Sequence, residues 1–281
     1  MSSPDPDETR AAQRATWEES AAAWESDNDA FYGATEGLTR TMVDLLDLRP
    51  GARALELAAG RGDLSALMAE RVGADGEVVC TDGADAMVEA AKRFVTAANV
   101  THRQMELEWV DAGAASFDAI ACRFGYMLCV DPEAALREAR RVLRPGGRLV
   151  LAVWDVADAN PWLAVPHRAL IAGGHAQAPP PGTPGPFVLG APGVLVGLLA
   201  DAGFVAPELS TVDLRITAPS LDAAWEHVER VSMTMRAALR ELSPADHFRL
   251  RDAIDEAWGA YVQADGTVAF PGRAHVALAE A

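Results

Sequence analysis

Hydrophobic and polar positions follow two different periods in the first half of the chain. Short, continuous apolar runs suited to buried strands cover 52–58, 76–81, 117–122 and 147–154. Apolar side chains recur at helical spacing between them, over 63–72, 84–97 and 131–143. Strands and helices that alternate in this way favour a mostly parallel sheet with helices on both faces.

The second half of the chain is less regular. Residues 156–197 are dense in Pro and Gly, which predicts a long loop without a regular helix or central strand. Two late strands are predicted near 207–217 and 267–278, with helices between them that begin at Ser220 and at Ser243-Pro244. We therefore divide the chain into an N-terminal helical lid (1–48), a core (49–155) and a C-terminal segment (156–281) that completes the same domain.

The end of the first predicted strand carries the clearest candidate site. Gly60 and Gly62 follow Leu55-Glu56-Leu57-Ala58-Ala59, and the next helix begins at once. Glycines at such a bend allow backbone angles closed to other residues and let a ligand lie against the peptide groups. Asp82 ends the second strand, where a carboxylate can bind both ribose hydroxyls of an adenosine.

The loop lacks the features of a phosphate site. Ser65 stands where a dinucleotide site has its third glycine, and no Lys followed by Ser or Thr comes after Gly62. Asp63 adds a negative charge at the start of the helix, which suits a helix dipole but not a phosphate. A ligand with a cationic centre and an amino acid tail fits better, and Glu56 could hold the ammonium group of that tail.

Three sequence blocks resemble one protein family. They are the glycine-bearing segment 55–63, the strand-like segment Ser116-Phe117-Asp118-Ala119-Ile120-Ala121-Cys122-Arg123-Phe124, and the helix, turn and strand of 135–149. In order and spacing they resemble the class I S-adenosylmethionine (SAM) dependent methyltransferases. The resemblance is to the small-molecule branch, which includes ubiquinone and menaquinone biosynthesis enzymes and bacterial secondary-metabolite enzymes. It implies a Rossmann-like, doubly wound, seven-stranded α/β sheet with an antiparallel edge strand and helical cap segments.

The resemblance also implies a set of cofactor-binding residues. Asp82 would bind the ribose, Met87 and Leu107 would flank the adenine, and Glu106 would accept from its amino group. The remaining candidates lie beside the methionine portion, in the turns or in the N-terminal lid. They are Trp17, Tyr32, Glu56, Ala58, Gly60, Gly62, Gly83, Cys122, Arg123 and Phe124.

Several of these residues have a structural alternative. Glu56 could simply accept from nearby backbone donors, and Met87 could be an ordinary core residue, because methionine fills gaps well. Thr81-Asp82-Gly83 is also a favourable turn, which the carboxylate alone could organise. Trp17 and Tyr32 could be packing anchors.

The acceptor side is weakly marked. A general base is needed only if the acceptor loses a proton, and the candidates are His167, His175, His227 and Asp155. We select His167, which follows Pro166 in the predicted loop, as the catalytic residue.

Charge and cysteine content narrow the partners. The formal net charge is −17, which opposes binding to nucleic acid or to an anionic membrane. The chain has three cysteines without metal-ligand spacing, and its first 16 residues lack the apolar core of a signal peptide. We expect no bound metal, a small-molecule acceptor, a cytoplasmic location and a homodimer.

The sequence thus predicts a SAM-dependent methyltransferase that modifies carbon or oxygen of a small, largely apolar acceptor. One alternative is an enzyme of the same fold that uses SAM without methylation, in a rearrangement, decarboxylation or cyclisation. Another is a non-catalytic SAM-binding protein. A nicotinamide dehydrogenase is disfavoured by the absent third glycine.

Overall fold

The computed structural model describes residues 5–281, except for the side chains of residues 27–32 and 233. A seven-stranded sheet forms its centre, in the order β3-β2-β1-β4-β5-β7-β6. The strands are β1 Arg53–Glu56, β2 Glu77–Asp82, β3 Val100–Gln104, β4 Phe117–Arg123, β5 Leu143–Trp154, β6 Val205–Ala218 and β7 Val268–Glu280. The helices are α1 Pro6–Leu45, α2 Asp63–Val72, α3 Asp85–Phe94, α4 Pro132–Val142, α5 Pro161–Ala172, α6 Val194–Asp201, α7 Leu221–Val231, α8 Met233–Glu241 and α9 Pro244–Trp258.

The sheet confirms the predicted Rossmann-like fold. β1 pairs in parallel with β2 and β4, and the sheet extends through parallel pairs to β3 and β5. β7 runs antiparallel to both β5 and β6, so the antiparallel strand lies one position inside the edge. The consequence is that β6 ends at the same edge of the sheet as β1, β2, β4 and β5.

Burial explains why the sequence patterns of the strands differ. β5 is buried almost continuously over Leu149–Trp154, because helices cover both of its faces. The edge strand β6 instead alternates between exposed and half-buried positions. The central strands could therefore be recognised as apolar runs.

The N-terminal region forms one helix rather than several. α1 is 40 residues long and begins where the Asp5 carboxylate accepts from the Asp7 N–H at 2.8 Å, with Pro6 at the first helical position. Along its length it contacts α3, α2, α7 and β6. None of the helices in the described part of the chain combines the length and apolar character that crossing a bilayer requires.

The prediction of a loop over 156–197 is wrong for part of that segment. The segment Pro161–Ala172 is helix α5, and α6 starts at Val194, so the irregular connection covers 173–193. Pro161 is tolerated because the first helical residue needs no N–H partner. The interior Pro166 is buried, and α5 packs against α9 and β7. Tertiary packing outweighs the low helix propensity of proline.

Candidate cofactor-binding site

A cleft opens at the carboxyl ends of β1, β2 and β4, beneath the N-terminal half of α1. It contains about 1290 Å³ of space free of protein atoms, part of it open to solvent. The strand order reverses between β1 and β4, which is the point where open α/β sheets bind ligands. Most of the predicted cofactor residues line it: Trp17, Glu56, Ala58, Gly60, Asp82, Gly83, Met87, Glu106, Leu107, Arg123 and Phe124.

The two glycines of the bend have different surroundings. Both have positive φ, +55° at Gly60 and +88° at Gly62. A Cβ added to Gly60 would meet no atom within 4 Å, whereas one added to Gly62 would lie 2.9 Å from Val95 Cγ2. Gly60 therefore leaves room within the cleft. Gly62 does not line the cleft, and its lack of a side chain permits packing against the end of α3.

Asp82 connects the glycine bend to the following turn. One carboxylate oxygen accepts from the Gly60 N–H at 2.9 Å, and the other accepts from the Ala84 N–H at 3.0 Å. Burial raises the pKa of Asp82 above its ordinary value, and these backbone donors oppose the rise. A carboxylate has about four lone-pair directions, so it can organise the loop and still accept from a ligand.

Glu56 lies at the floor of the cleft and is 2% exposed. Its carboxyl group accepts from the Ser65 N–H at 2.7 Å and from the Ser65 hydroxyl group. Burial raises the pKa of Glu56 to about 8. The side chain thus fills the structural role that was one of its two interpretations, while remaining at the cleft wall.

Left-handed backbone marks the two loops that meet across the cleft. Ala58 has φ 52° and Phe124 has φ 63°, although neither is a glycine. The loops approach so closely that a Cβ on Gly125 would lie 2.7 Å from Ala58 Cβ. Strained residues of this kind are concentrated at functional sites. No pattern in the sequence predicted this strain.

Cys122 lies beneath the cleft rather than in its wall. The residue is 0% exposed, and burial raises the pKa of its thiol to about 12. Its Sγ atom is 2.6 Å from the position of a Cβ on Gly125. The prediction that Cys122 lines the cofactor cleft is therefore wrong, and the glycine after Phe124 is required partly because this sulfur is so close.

Arg123 connects three elements at the edge of the cleft. Its guanidinium group donates to Thr39 Oγ1 at 2.7 Å and to Thr35 Oγ1 at 3.1 Å, both on α1. It also lies 3.4 Å from the carboxylate of Asp63, the first residue of α2. Arg123 consequently fixes α1 over the sheet, in addition to lining the cleft.

Charged contacts hold the N-terminal half of α1 over the mouth of the cleft. Arg10 pairs with Glu108, and Arg14 pairs with Glu106 at 2.6 Å. Glu18 accepts from the first two backbone N–H groups of α3, at 2.6 and 2.9 Å. A carboxylate at a helix N-terminus is favoured by the helix dipole.

The N-terminal half of α1 forms a cover over the cleft, and four of its residues were missed or only partly identified from the sequence. Arg10, Arg14, Trp17 and Trp24 all line the cleft, and the two indole rings are 5.8 Å apart. Their spacing of four, three and seven residues places them on one face of a helix, which was the available signal. Met87 packs with Trp17 and Trp24 while also lining the cleft.

Two other predicted residues do not contribute to the described cleft. His167 lies on α5, in a helix rather than a loop, and is not among the residues that line the cleft. The side chain of Tyr32 lies outside the described residues. Among the described residues, no group of three or more His, Cys, Asp and Glu is placed to hold a metal ion.

The core of the chain matches a known domain family. Residues 54–147 match the family model of a methyltransferase domain. The ubiquinone/menaquinone biosynthesis C-methyltransferase UbiE of Teredinibacter turnerae is 34% identical over 136 residues, covering 47% of this chain and 55% of that protein. Its counterpart in Ectopseudomonas mendocina is 36% identical over 149 residues, covering 51% and 58%. The chain thus spans little more than half the length of these curated relatives.

Solved structures share the fold over a larger part of the chain. The YcgJ protein of Bacillus subtilis has a TM-score of 0.60 at 19% identity, covering 86% of this chain and 97% of that one. Phosphoethanolamine N-methyltransferase 2 of Haemonchus contortus, solved with phosphomonomethylethanolamine and S-adenosylhomocysteine, has a TM-score of 0.56 at 15% identity, covering 91% and 57%. The [4+2]-cyclase SpnF has a TM-score of 0.52 at 17% identity, covering 88% and 81%.

Fold, cleft and family match together define the core as a methyltransferase domain of the class I, SAM-dependent kind. Within that class, it resembles the C-methyltransferases of ubiquinone and menaquinone biosynthesis.

Proposed function

We propose that the chain transfers a methyl group from SAM to carbon or oxygen of a small, largely apolar acceptor. The observation that carries this proposal is Asp82, whose carboxylate stands at the tip of β2 and accepts from the N–H of the open Gly60 bend. A carboxylate in this position suits the two hydroxyls of a ribose. The surrounding cleft contains four further carboxyl groups, which belong to Glu25, Glu56, Glu106 and Glu108.

Each part of the cofactor has candidate partners in the cleft. Asp82 binds the ribose, while Met87, Gly83, Glu106 and Leu107 surround the adenine. The methionine portion lies along Ala58, Gly60, Arg123 and Phe124 above the floor formed by Glu56, and α1 covers it through Trp17. When bound, SAM supplies an electrophilic methyl group on a sulfonium.

The chain contributes alignment and exclusion of water to an in-line displacement. Phe124 and Trp154 stack with their ring centroids 4.1 Å apart, which gives the methionine end of the cleft an apolar wall. Such a wall does not solvate the sulfonium, so the methyl group stays reactive. The proposal includes a cytoplasmic location and a homodimer, and it excludes nucleic acid and membranes as partners because of the charge of −17.

Calorimetric titration of the full chain with S-adenosylhomocysteine and, separately, with NAD tests the cofactor assignment. We expect saturable heat for the first compound and none for NAD, and the absence of heat for the first would overturn the proposal. Incubation with isotope-labelled SAM and candidate acceptors then tests the reaction. Equal amounts of S-adenosylhomocysteine and methylated product support methyl transfer, whereas a new product without S-adenosylhomocysteine supports the non-methylating alternative.

A further inference from the structure

The edge strand β6 has one side of its backbone open to a further strand. It is the last strand in the sheet order, so among the described residues only β7 pairs with it. Over 211–217, exposed residues alternate with half-buried ones, so the odd-numbered side chains share one face of the sheet and the even-numbered side chains the other. The N–H and C=O groups on the open side can pair with a strand from another chain.

Protection against such pairing differs along β6. Edge strands are commonly protected by proline, lysine or a bulge. The first part of β6 has two of these features, namely Pro207 and a register shift between Val205 and Glu208. Residues 209–218 contain neither proline nor lysine, and they pair with β7 in regular register. The stretch available to a partner strand is therefore 209–218.

Two opposite charges lie within this stretch. Asp213 and Arg215 are both exposed and on the same face of the sheet. Arg273 stands opposite Asp213 on β7, but its guanidinium group pairs with Asp155. Among the described side chains, neither Asp213 nor Arg215 has an ion-pair partner within the chain. Both charges are thus available to a strand that pairs with the open side of β6.

We propose that two copies of the chain pair through the open side of β6, in antiparallel orientation about a two-fold axis at Leu214. A two-fold axis perpendicular to the sheet brings the same strand of each copy together and keeps every side chain on its own face. In this register Asp213 of each copy lies opposite Arg215 of the other. This inference rests on the homodimer included in the proposed function and adds its interface, while it does not depend on methyl transfer.

The rest of the register is also complementary. Opposite charges, threonine pairs and pairs of branched apolar residues stabilise adjacent antiparallel strands. An axis centred on Asp213 would oppose two aspartates, and one centred on Arg215 would oppose two arginines, so the charges select the axis at Leu214. With that axis, the further opposed pairs are Thr211 with Thr217, Val212 with Ile216 and Ser210 with Ala218.

Sedimentation velocity of the full chain tests the interface. Salt at about 0.15 M screens the formal charge of −17 on each copy beyond about 8 Å, and we expect the parent chain to sediment as a dimer. Arg215→Asp and Asp213→Arg each oppose like charges twice, and each should weaken the dimer at least about tenfold. The two substitutions change the net charge in opposite directions, so a general charge effect cannot weaken the dimer in both.

Two further variants complete the test. The double variant Asp213→Arg/Arg215→Asp opposes unlike charges again and should bring the dissociation constant back to within about threefold of the parent value. Arg103→Asp is the matched control, because Arg103 is an exposed arginine on β3, the strand at the other edge of the sheet. We expect this control to dimerise like the parent chain.

The outcomes separate this inference from the proposed function. A dimer that neither single variant weakens, or that the double variant does not restore, would overturn the β6 interface and leave the homodimer in place. A monomeric parent chain would overturn both. Calorimetry with S-adenosylhomocysteine tests the cofactor assignment independently, and we expect every variant to bind that compound as the parent chain does, which also shows that each variant is folded.

Discussion

The cofactor cleft and a second cavity are built in different ways. The cleft depends on backbone geometry at strand ends: the positive φ of Gly60, the N–H groups bound by Asp82, and the close approach of Ala58 to Gly125. The second cavity, at the carboxyl end of β6 beneath α5, α7 and α9, is lined by residues from six elements between Ser26 and Phe270. Backbone geometry requires particular residues at fixed spacing, whereas an apolar wall accepts many residues, so only the cleft leaves a local signature in the sequence.

The largest effect should come from Asp82→Ala. The substitution removes the proposed ribose acceptor and also releases the N–H groups of Gly60 and Ala84. We expect about a 100-fold loss of S-adenosylhomocysteine affinity by calorimetry, corresponding to about 3 kcal/mol. Asp265→Ala is the matched control, because the Asp265 carboxylate also accepts a backbone N–H, from Thr267 at 3.0 Å, but lies outside the cleft. Equal losses of affinity for both variants would contradict the assignment of Asp82 to cofactor binding.

The two glycines allow stability to be separated from binding. Gly62→Ala combines a left-handed backbone with a 2.9 Å approach to Val95, and should lower the free energy of unfolding by about 2–4 kcal/mol. Gly60→Ala has no such contact and should cost about 1 kcal/mol, while reducing affinity for S-adenosylhomocysteine. Urea unfolding and calorimetry measure the two quantities. Equal destabilisation by both substitutions would contradict this division.

The pH dependence of stability should reveal the buried carboxyl at the cleft floor. Folded protein keeps a proton on Glu56 up to about pH 8, while the ordinary pKa of 4.5 applies after unfolding. Since the folded state binds more protons in this range, its stability falls as pH rises from 5 to 8. Relative to Glu56→Gln, the parent chain should lose at least about 1 kcal/mol over this interval in urea unfolding. If the free energy of unfolding changed equally with pH in both proteins, the raised pKa of Glu56 would be contradicted.

The smallest effect should come from the charged cover. Arg14 and Glu106 are 46% and 35% exposed, so their ion pair contributes little free energy. We expect Arg14→Gln to speed release of S-adenosylhomocysteine about two- to fourfold in stopped-flow measurements. Arg40→Gln breaks a pair with Glu36 on the same helix, away from the cleft, and should leave the release rate unchanged.

The sequence identified the sheet and the glycine bend because both have local patterns. It failed at α5, where burial of Pro161 and Pro166 overrides their propensity, and at Cys122, whose strand position did not reveal which way its side chain points. Glu108 could not be assigned a role from the sequence, because its partner Arg10 lies far away along the chain. Trp162 could not be assigned one either, because its contact with Trp154 depends on how α5 packs against the sheet.

The 40-residue helix α1 has a kinetic consequence. Because Arg10, Arg14 and Glu18 hold it across the entrance, we expect exchange of a bound nucleoside to involve movement of this end of the helix. These contacts are ion pairs or charge-assisted hydrogen bonds, so added salt weakens those that are exposed to solvent. The residence time of S-adenosylhomocysteine should therefore shorten as ionic strength rises. Where release of this product limits the rate, turnover should be faster at high salt concentration than in dilute buffer.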